Sequence, residues 1–151
     1  MQIARSGTHA TMALLKMHGL NLLLPQGEIR ALESVANIDV AAPAPHGIGW
    51  LAYTHKRWPV YSLSDELTLM AEVPSERSAC AILATGGGYI GILCDDMIIL
   101  KDFVGQRYEL PAAMKLDGTP ILHLAAYEQG IACVTDAHQL TRYIEQLLLN
   151  A

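Results

Sequence analysis

The sequence predicts a mainly β protein closed by a single helix, and three observations carry that expectation. Short apolar runs punctuated by turn residues fill most of the chain. Three consecutive glycines, Gly86-Gly87-Gly88, separate two such runs at hairpin spacing. Only near the end does the apolar period lengthen from that of a strand to that of a helix.

Residues 1–19 read as an N-terminal extension of uncertain structure, in which 11–17 is either a short helix or an added edge strand. The run 20–24 stops at Pro25-Gln26-Gly27 and a second run, 29–38, follows, so the pair reads as a hairpin. Residues 41–45 form a stiff connector, because Pro43 and Pro45 cannot donate main-chain hydrogen bonds. Residues 47–53 and 58–63 read as strands flanking the polar turn 54–57. The charged stretch 67–78, which contains Pro74, reads as a short helix or loop.

The clearest hairpin pairs 79–85 with 89–94 through the glycines, whose freedom at positive φ suits a tight turn. Its second strand runs on, with a bend, through 97–100. A polar connector over 101–114 leads to strands at 121–127 and 131–135. Leu140, Tyr143, Ile144, Leu147 and Leu148 then fall on one face of a helix. Thr135 or Asp136 is placed to cap it. About eight or nine short strands and one helix point to a barrel or sandwich.

With 151 residues the chain suits a single domain with a substantial core. Hydrophobic residues are 52% and charged residues 17%, a composition that folds rather than stays disordered. A formal charge of −5 excludes a general nucleic-acid binder, which needs a concentrated field of Lys and Arg. Cys80, Cys94 and Cys133 form an odd, widely spaced set that points to a reducing cytoplasm rather than to a disulfide framework. No apolar run approaches the ~20 residues that cross a bilayer, and the N-terminus lacks the apolar core of a signal peptide. No membrane insertion is expected.

The catalytic readings are weak. Cys94 precedes Asp95 and Asp96, and carboxylates raise a thiol pKa, so all three cysteines read as buried strand residues. Asp95 and Asp96 are adjacent on a strand and point to opposite faces, which does not suit a paired acid and base. The six histidines show no ligand-like pairing, and His123 reads as a hydrogen-bonded core residue. No catalytic residue, metal or cofactor is expected. Gly86-Gly87-Gly88 lacks the Lys-Ser/Thr of a phosphate loop.

What stands out is GWLAYTHKRWPVYSL, residues 49–63, which gathers both tryptophans and two tyrosines around a basic turn. Aromatic and Arg side chains concentrate in protein interfaces. Trp50, Tyr53, Lys56, Arg57 and Trp58 are therefore candidate partner-binding residues, although such rings also fill small cores. Trp50, Tyr53 and Trp58 would alternatively line the pocket of a stand-alone small-molecule-binding or enzymatic β-barrel. A third reading is a self-associating structural module.

The same segment resembles the central hairpin of CheW-like domains, with Gly49, Pro59, Val60 and Leu63 in that pattern. IGILCDDMIIL, residues 90–100, is similar to a second block of the family through Gly91 and Asp95. IACVTDAHQL, residues 131–140, is similar to a third, in which Asp136 ends the last strand before a terminal helix. LNLLLPQGEIRALESVANI and PAPHGIGW match the opening hairpin and connector in pattern. The resemblance spans roughly residues 20–148 and places a CheW-like domain at 20–151.

That resemblance implies two small five-stranded SH3-like barrels, interleaved subdomains with a hydrophobic groove between them, and a C-terminal helix. It implies a non-enzymatic adaptor of chemosensory signalling that couples methyl-accepting chemoreceptors to the regulatory domain of a histidine kinase. The family's Asn-Leu-Arg-Gly before Pro-Val is Ala52-Tyr53-Thr54-His55 here, and its Asp between Val and Leu is Ser62. The Arg and Gly so replaced lie on a surface that the family associates with partner contacts. A divergent member is implied, serving pilus-type motility or another alternative pathway, with Lys56 and Arg57 supplying a shifted basic contact.

Overall fold

The computed structural model describes residues 10–42 and 44–150. Residues 1–9 of the expected extension, and Pro43 of the connector, lie outside the described residues. Eleven strands and one α-helix are described. The first sheet holds β1 (Ala10–Met17) and β2 (Leu20–Pro25). The chain then crosses to the second sheet for β3 (Ile29–Ser34), β4 (Gly49–Tyr53), β5 (Lys56–Tyr61), β6 (Ala79–Ala84) and β7 (Tyr89–Cys94). It returns to the first sheet for β8 (Asp96–Phe103), β9 (Arg107–Tyr108), β10 (His123–Tyr127) and β11 (Gly130–Val134), and ends in α1 (Ala137–Leu149). The strand orders are β8-β1-β2-β11-β10-β9 and β3-β6-β7-β5-β4. The second sheet has the expected five strands, and the two-residue β9 makes the first a sheet of six.

Three apolar clusters explain why so many strands are apolar on both faces. Met12, Leu14 and Leu23 point into the interior of the first sheet, with Ala125, Ala132 and Val134. Cys80, Ile82 and Leu93 point into the interior of the second, with Leu51 and Val60. The alternate residues Ala13, Leu15, Leu22 and Leu24 of the first sheet meet Ala81, Leu83, Ile90 and Ile92 of the second. This shared layer also takes Ala137, Leu140 and Ile144 from α1. Each central strand therefore serves two cores, and its sequence reads as a continuous apolar run rather than an alternation.

Several expected elements are revised. The segment 11–17 belongs to β1, which lies inside the sheet between β8 and β2, neither a helix nor an edge. The hairpin expected across Pro25-Gln26-Gly27 does not form. β2 pairs with β1 and β11, whereas β3 pairs with β6, so the turn at 26–28 is the first crossing between sheets. Turn residues specify a change of direction but not the strand that will be paired. The bend expected after Cys94 is the second crossing, and β8 extends to Phe103 into what read as a polar connector. Residues 67–78 form a loop rather than a helix.

The 79–94 hairpin forms, closed by Thr85 N–H donating to the Gly88 carbonyl at 2.8 Å. None of its three glycines adopts the left-handed region, so the expected reason for them is corrected. Gly88 is needed for space: a Cβ there would come within 2.3 Å of the Trp58 ring.

Asp136 caps α1, its Oδ1 accepting from Gln139 N–H at 2.7 Å. Glu28 Oε1, from the first crossing, accepts from Ala137 N–H at 2.8 Å. Two carboxylates thus meet the positive end of the helix. Thr135 does not cap; its hydroxyl donates to the Pro120 carbonyl at 2.7 Å. Asp136→Ala is expected to cost about 1 kcal/mol, read as a lower urea midpoint with an unchanged slope.

Candidate functional surface

The aromatic and basic residues of 49–63 lie on the β4–β5 hairpin, whose register pairs Leu51 with Trp58, Ala52 with Arg57 and Tyr53 with Lys56. Strand alternation divides them between two faces. Leu51 is buried in the second sheet's interior cluster, so Tyr53 and Trp58 share that inner side. Trp50 and Arg57 share the outer side.

The inner rings interlock. Trp58 Nε1–H donates to the Tyr53 carbonyl at 2.8 Å. Both rings meet Tyr89 edge-on, with centroids 5.3 Å apart for Trp58 and 4.9 Å for Tyr53. Trp58 also lies against Gly88. Tyr53 and Trp58 therefore form a packed lid over one end of the second sheet.

The outer side is open. The Arg57 guanidinium lies 5.6 Å from the Trp50 ring centroid and pairs with Asp39 Oδ2 at 3.0 Å. Arg57 and Asp39 are each 53% exposed, so the ion pair adds little stability and serves to orient the guanidinium. Asp39 is held by two main-chain bonds to Trp50, of 2.8 and 3.0 Å. Lys56 is exposed at the tip of the hairpin.

Thr54 and His55 form that tip, with φ of 52° and 63°. Positive φ at both central residues is the backbone of a type I′ turn, which normally takes Asn-Gly. In the resemblance His55 stands where the family has the glycine of Asn-Leu-Arg-Gly, the residue type that this left-handed backbone favours. A left-handed residue with a Cβ costs about 1–2 kcal/mol, and a new glycine costs part of that through unfolded-chain entropy. His55→Gly should therefore raise stability by roughly 0.5–1 kcal/mol, seen as a higher melting temperature.

The family-matched positions have structural work. Val60 is fully buried between Gly49 on β4 and Gly91 on β7, and Pro59 lies opposite Trp50. A Cβ on Gly91 would lie 2.6 Å from Cys80 Sγ, and one on Gly49 would lie 2.2 Å from the Asp39 carbonyl oxygen. Leu63 is fully buried in the layer between the sheets.

Asp95 is the pivot of the second crossing. Its N–H donates to Lys16 O of β1 at 2.7 Å, and its carbonyl accepts from the Ser78 hydroxyl at 2.8 Å. Its carboxylate pairs at 3.0 Å with Nε of Arg77, a residue only 3% exposed. Arg77 also reaches the Leu93 carbonyl at 3.2 Å and the hydroxyl of buried Ser62 at 3.4 Å. Sequence reasoning missed Arg77, because nothing in a charged loop marks one cation for burial. It also missed Asp39 and Tyr89.

Burial pushes the Cys80 thiol up to about 12, with Cys94 and Glu33 adding to it. Burial likewise pushes Cys94 to about 12, opposed by Arg77 and reinforced by Asp95 and Asp96. Both stay protonated and unreactive near neutral pH. Cys133, expected to be buried, is partly exposed, and burial still raises its pKa. His123 is likewise only partly buried, and its Nδ1 has no hydrogen-bond partner among the described residues, contrary to expectation. Among the described residues no group of three or more His, Cys, Asp or Glu side chains is arranged to hold a metal. No described helix is long and apolar enough to cross a membrane.

No protein-family model matches the sequence. No curated protein matches it either. Among solved structures, the chain is similar to the scaffolding protein TtCheW from Thermoanaerobacter tengcongensis, with a TM-score of 0.67 and 13% identity. The match covers 87% of this chain and 91% of that one. The chain therefore has the CheW-like fold, at a sequence distance where the likeness speaks for architecture alone.

Proposed function

We propose that this chain is a non-enzymatic chemosensory adaptor that couples chemoreceptors to the regulatory domain of a histidine kinase in the cytoplasm. The observation that carries this reading is the match to a scaffolding protein over 87% of this chain and 91% of that one. The condition of the candidate surface supports it. Trp50 and Arg57 present an oriented aromatic–basic edge suited to protein contact, with Lys56 exposed beside it at the hairpin tip. The Ala52-Tyr53-Thr54-His55 that stands between them in place of the family's Asn-Leu-Arg-Gly favours a specialised partner pair, such as that of a pilus-type motility system. Substrate binding at Trp50, Tyr53 and Trp58 is disfavoured, because the Tyr53 and Trp58 rings fill their own side of the hairpin and Trp50 faces the other.

The test is reconstitution with the chemosensory kinase and the receptor signalling tip from the same cell, reading complex formation and kinase autophosphorylation. Binding at micromolar concentration is expected, and Lys56→Glu with Arg57→Glu should weaken it about tenfold or more without changing the melting temperature. If neither kinase nor receptor binds at micromolar concentration, the coupling reading is wrong. Trp58→Ala does not discriminate, since its packed indole makes a loss of fold the expected result.

A further inference from the structure

We propose that the open seam of the first sheet docks an extended apolar peptide segment of a partner protein, which pairs along the free edge of β8. This surface lies in the sheet that does not contain the β4–β5 hairpin. The first sheet curls around its own cluster but does not close. Among the described residues β8 ends it on one side, paired with β1 alone. On the other side β9 covers β10 at Leu124 and Ala125, and Ala126 N–H donates to the Gln106 carbonyl at 3.1 Å.

A cleft of about 470 Å³ occupies that gap. Leu14, Ile98, Leu100 and Phe103 line it from one side, and Ala126 and Tyr127 from the other. Ile98, Leu100, Phe103 and Tyr127 pack on the interior cluster yet remain only partly buried, so no described residue completes the cover of this core. Beyond them Val104 is 67% exposed.

The gap is a built feature. β8 carries one extra residue between its pairings to Met12 and Ala10, a bulge of the kind that bends strands at barrel rims, and Asp102 there has φ 52°. The chain next to it has room only for glycine: a Cβ on Gly105 would lie 2.1 Å from the Phe103 ring and 2.5 Å from the Ala126 carbonyl oxygen.

The chemistry of the occupant follows from what the seam leaves unmet. A free strand edge offers a row of main-chain donors and acceptors, which another strand satisfies and a compact small molecule does not. Alternate apolar side chains of that strand would then lie on Ile98 and Leu100 and complete the cluster. A second copy is disfavoured: a two-fold pairing that joins the exposed Ile99 residues would set Asp96 opposite Asp102, and like charges directly opposed repel.

The test is an NMR titration of the full chain with a panel of octapeptides of alternating Val/Thr, Ile/Lys and Phe/Ser. Amide shifts and slowed hydrogen exchange are expected at 98–105 and 126–129 for at least one peptide. Val104→Asp, at an exposed position, should weaken that binding about tenfold without changing the melting temperature. The proposal is overturned if no peptide shifts these amides at millimolar concentration, or if the shifts fall elsewhere. It is overturned equally if an anilinonaphthalene sulfonate binds the cleft and no peptide does, or if peptides bind only after residues 1–9 are removed. Loss of kinase binding with this result intact would refute the adaptor reading alone.

Discussion

Asp95→Asn is expected to destabilise the fold by about 3–5 kcal/mol, the cost typical of removing one partner from a buried ion pair. Arg77 is almost wholly out of solvent, and its other contacts, a carbonyl and a hydroxyl, are neutral. Asn keeps the shape and an acceptor oxygen but leaves the guanidinium charge uncompensated. Arg77→Met should cost less, because the Asp95 side chain is 25% exposed, although its Oδ1 is buried and makes no hydrogen bond among the described residues beyond the charge contact with Arg77. The order of stabilities decides the matter. The double variant Asp95→Asn/Arg77→Met should be more stable than Asp95→Asn alone, by urea unfolding under two-state conditions. Equal losses for both single variants, with simple additivity, would show that the pair does not act as a unit.

This ion pair also shows where sequence reading ran out. Asp95 was visible as a matched position at a bend, but its partner lies 18 residues earlier in a charged stretch that reads as a short helix or loop. The third member, Ser62, was visible only as a departure from the family pattern, and it proves to be a hydroxyl that faces the same guanidinium. Local signals were read well: the helix register, its cap at Asp136, and the 79–94 and 123–134 hairpins each rest on neighbours in sequence. Long-range choices were not legible. Ile29–Ser34 pairs with β6 rather than with the preceding strand, and Ala10–Met17 fits between β8 and β2. Strands apolar on both faces carry no period that says which sheet they join. The same limit applied to the candidate surface. Composition singled out 49–63, whereas the separation of Trp50 and Arg57 from Tyr53 and Trp58 came from hairpin register, and the need for Gly88 came from a ring 30 residues away.

Gly49→Ala is expected to be among the most damaging one-methyl changes in the molecule. The added carbon would lie 2.2 Å from the Asp39 carbonyl oxygen and 3.0 Å from its carbon, so the obstruction is main chain and cannot rotate away. The strand must move, and the two hydrogen bonds that tie Asp39 to Trp50 must lengthen or break. Overpacking typically costs about 1–3 kcal/mol, and two lost hydrogen bonds add about 1 kcal/mol each, so a loss near 3–4 kcal/mol is expected. Gly91→Ala provides the contrast. Its added carbon meets the Cys80 sulfur at 2.6 Å, a side chain, and Cys80→Ala should restore much of the stability that Gly91→Ala removes. No side-chain change should rescue Gly49→Ala. The consequence for binding separates them further, because Asp39 orients Arg57 over Trp50 and Gly91 touches neither. At temperatures where both variants remain folded, Gly49→Ala should weaken partner binding and Gly91→Ala/Cys80→Ala should not. If the two bind equally, the outer face of the β4–β5 hairpin is not the contact surface.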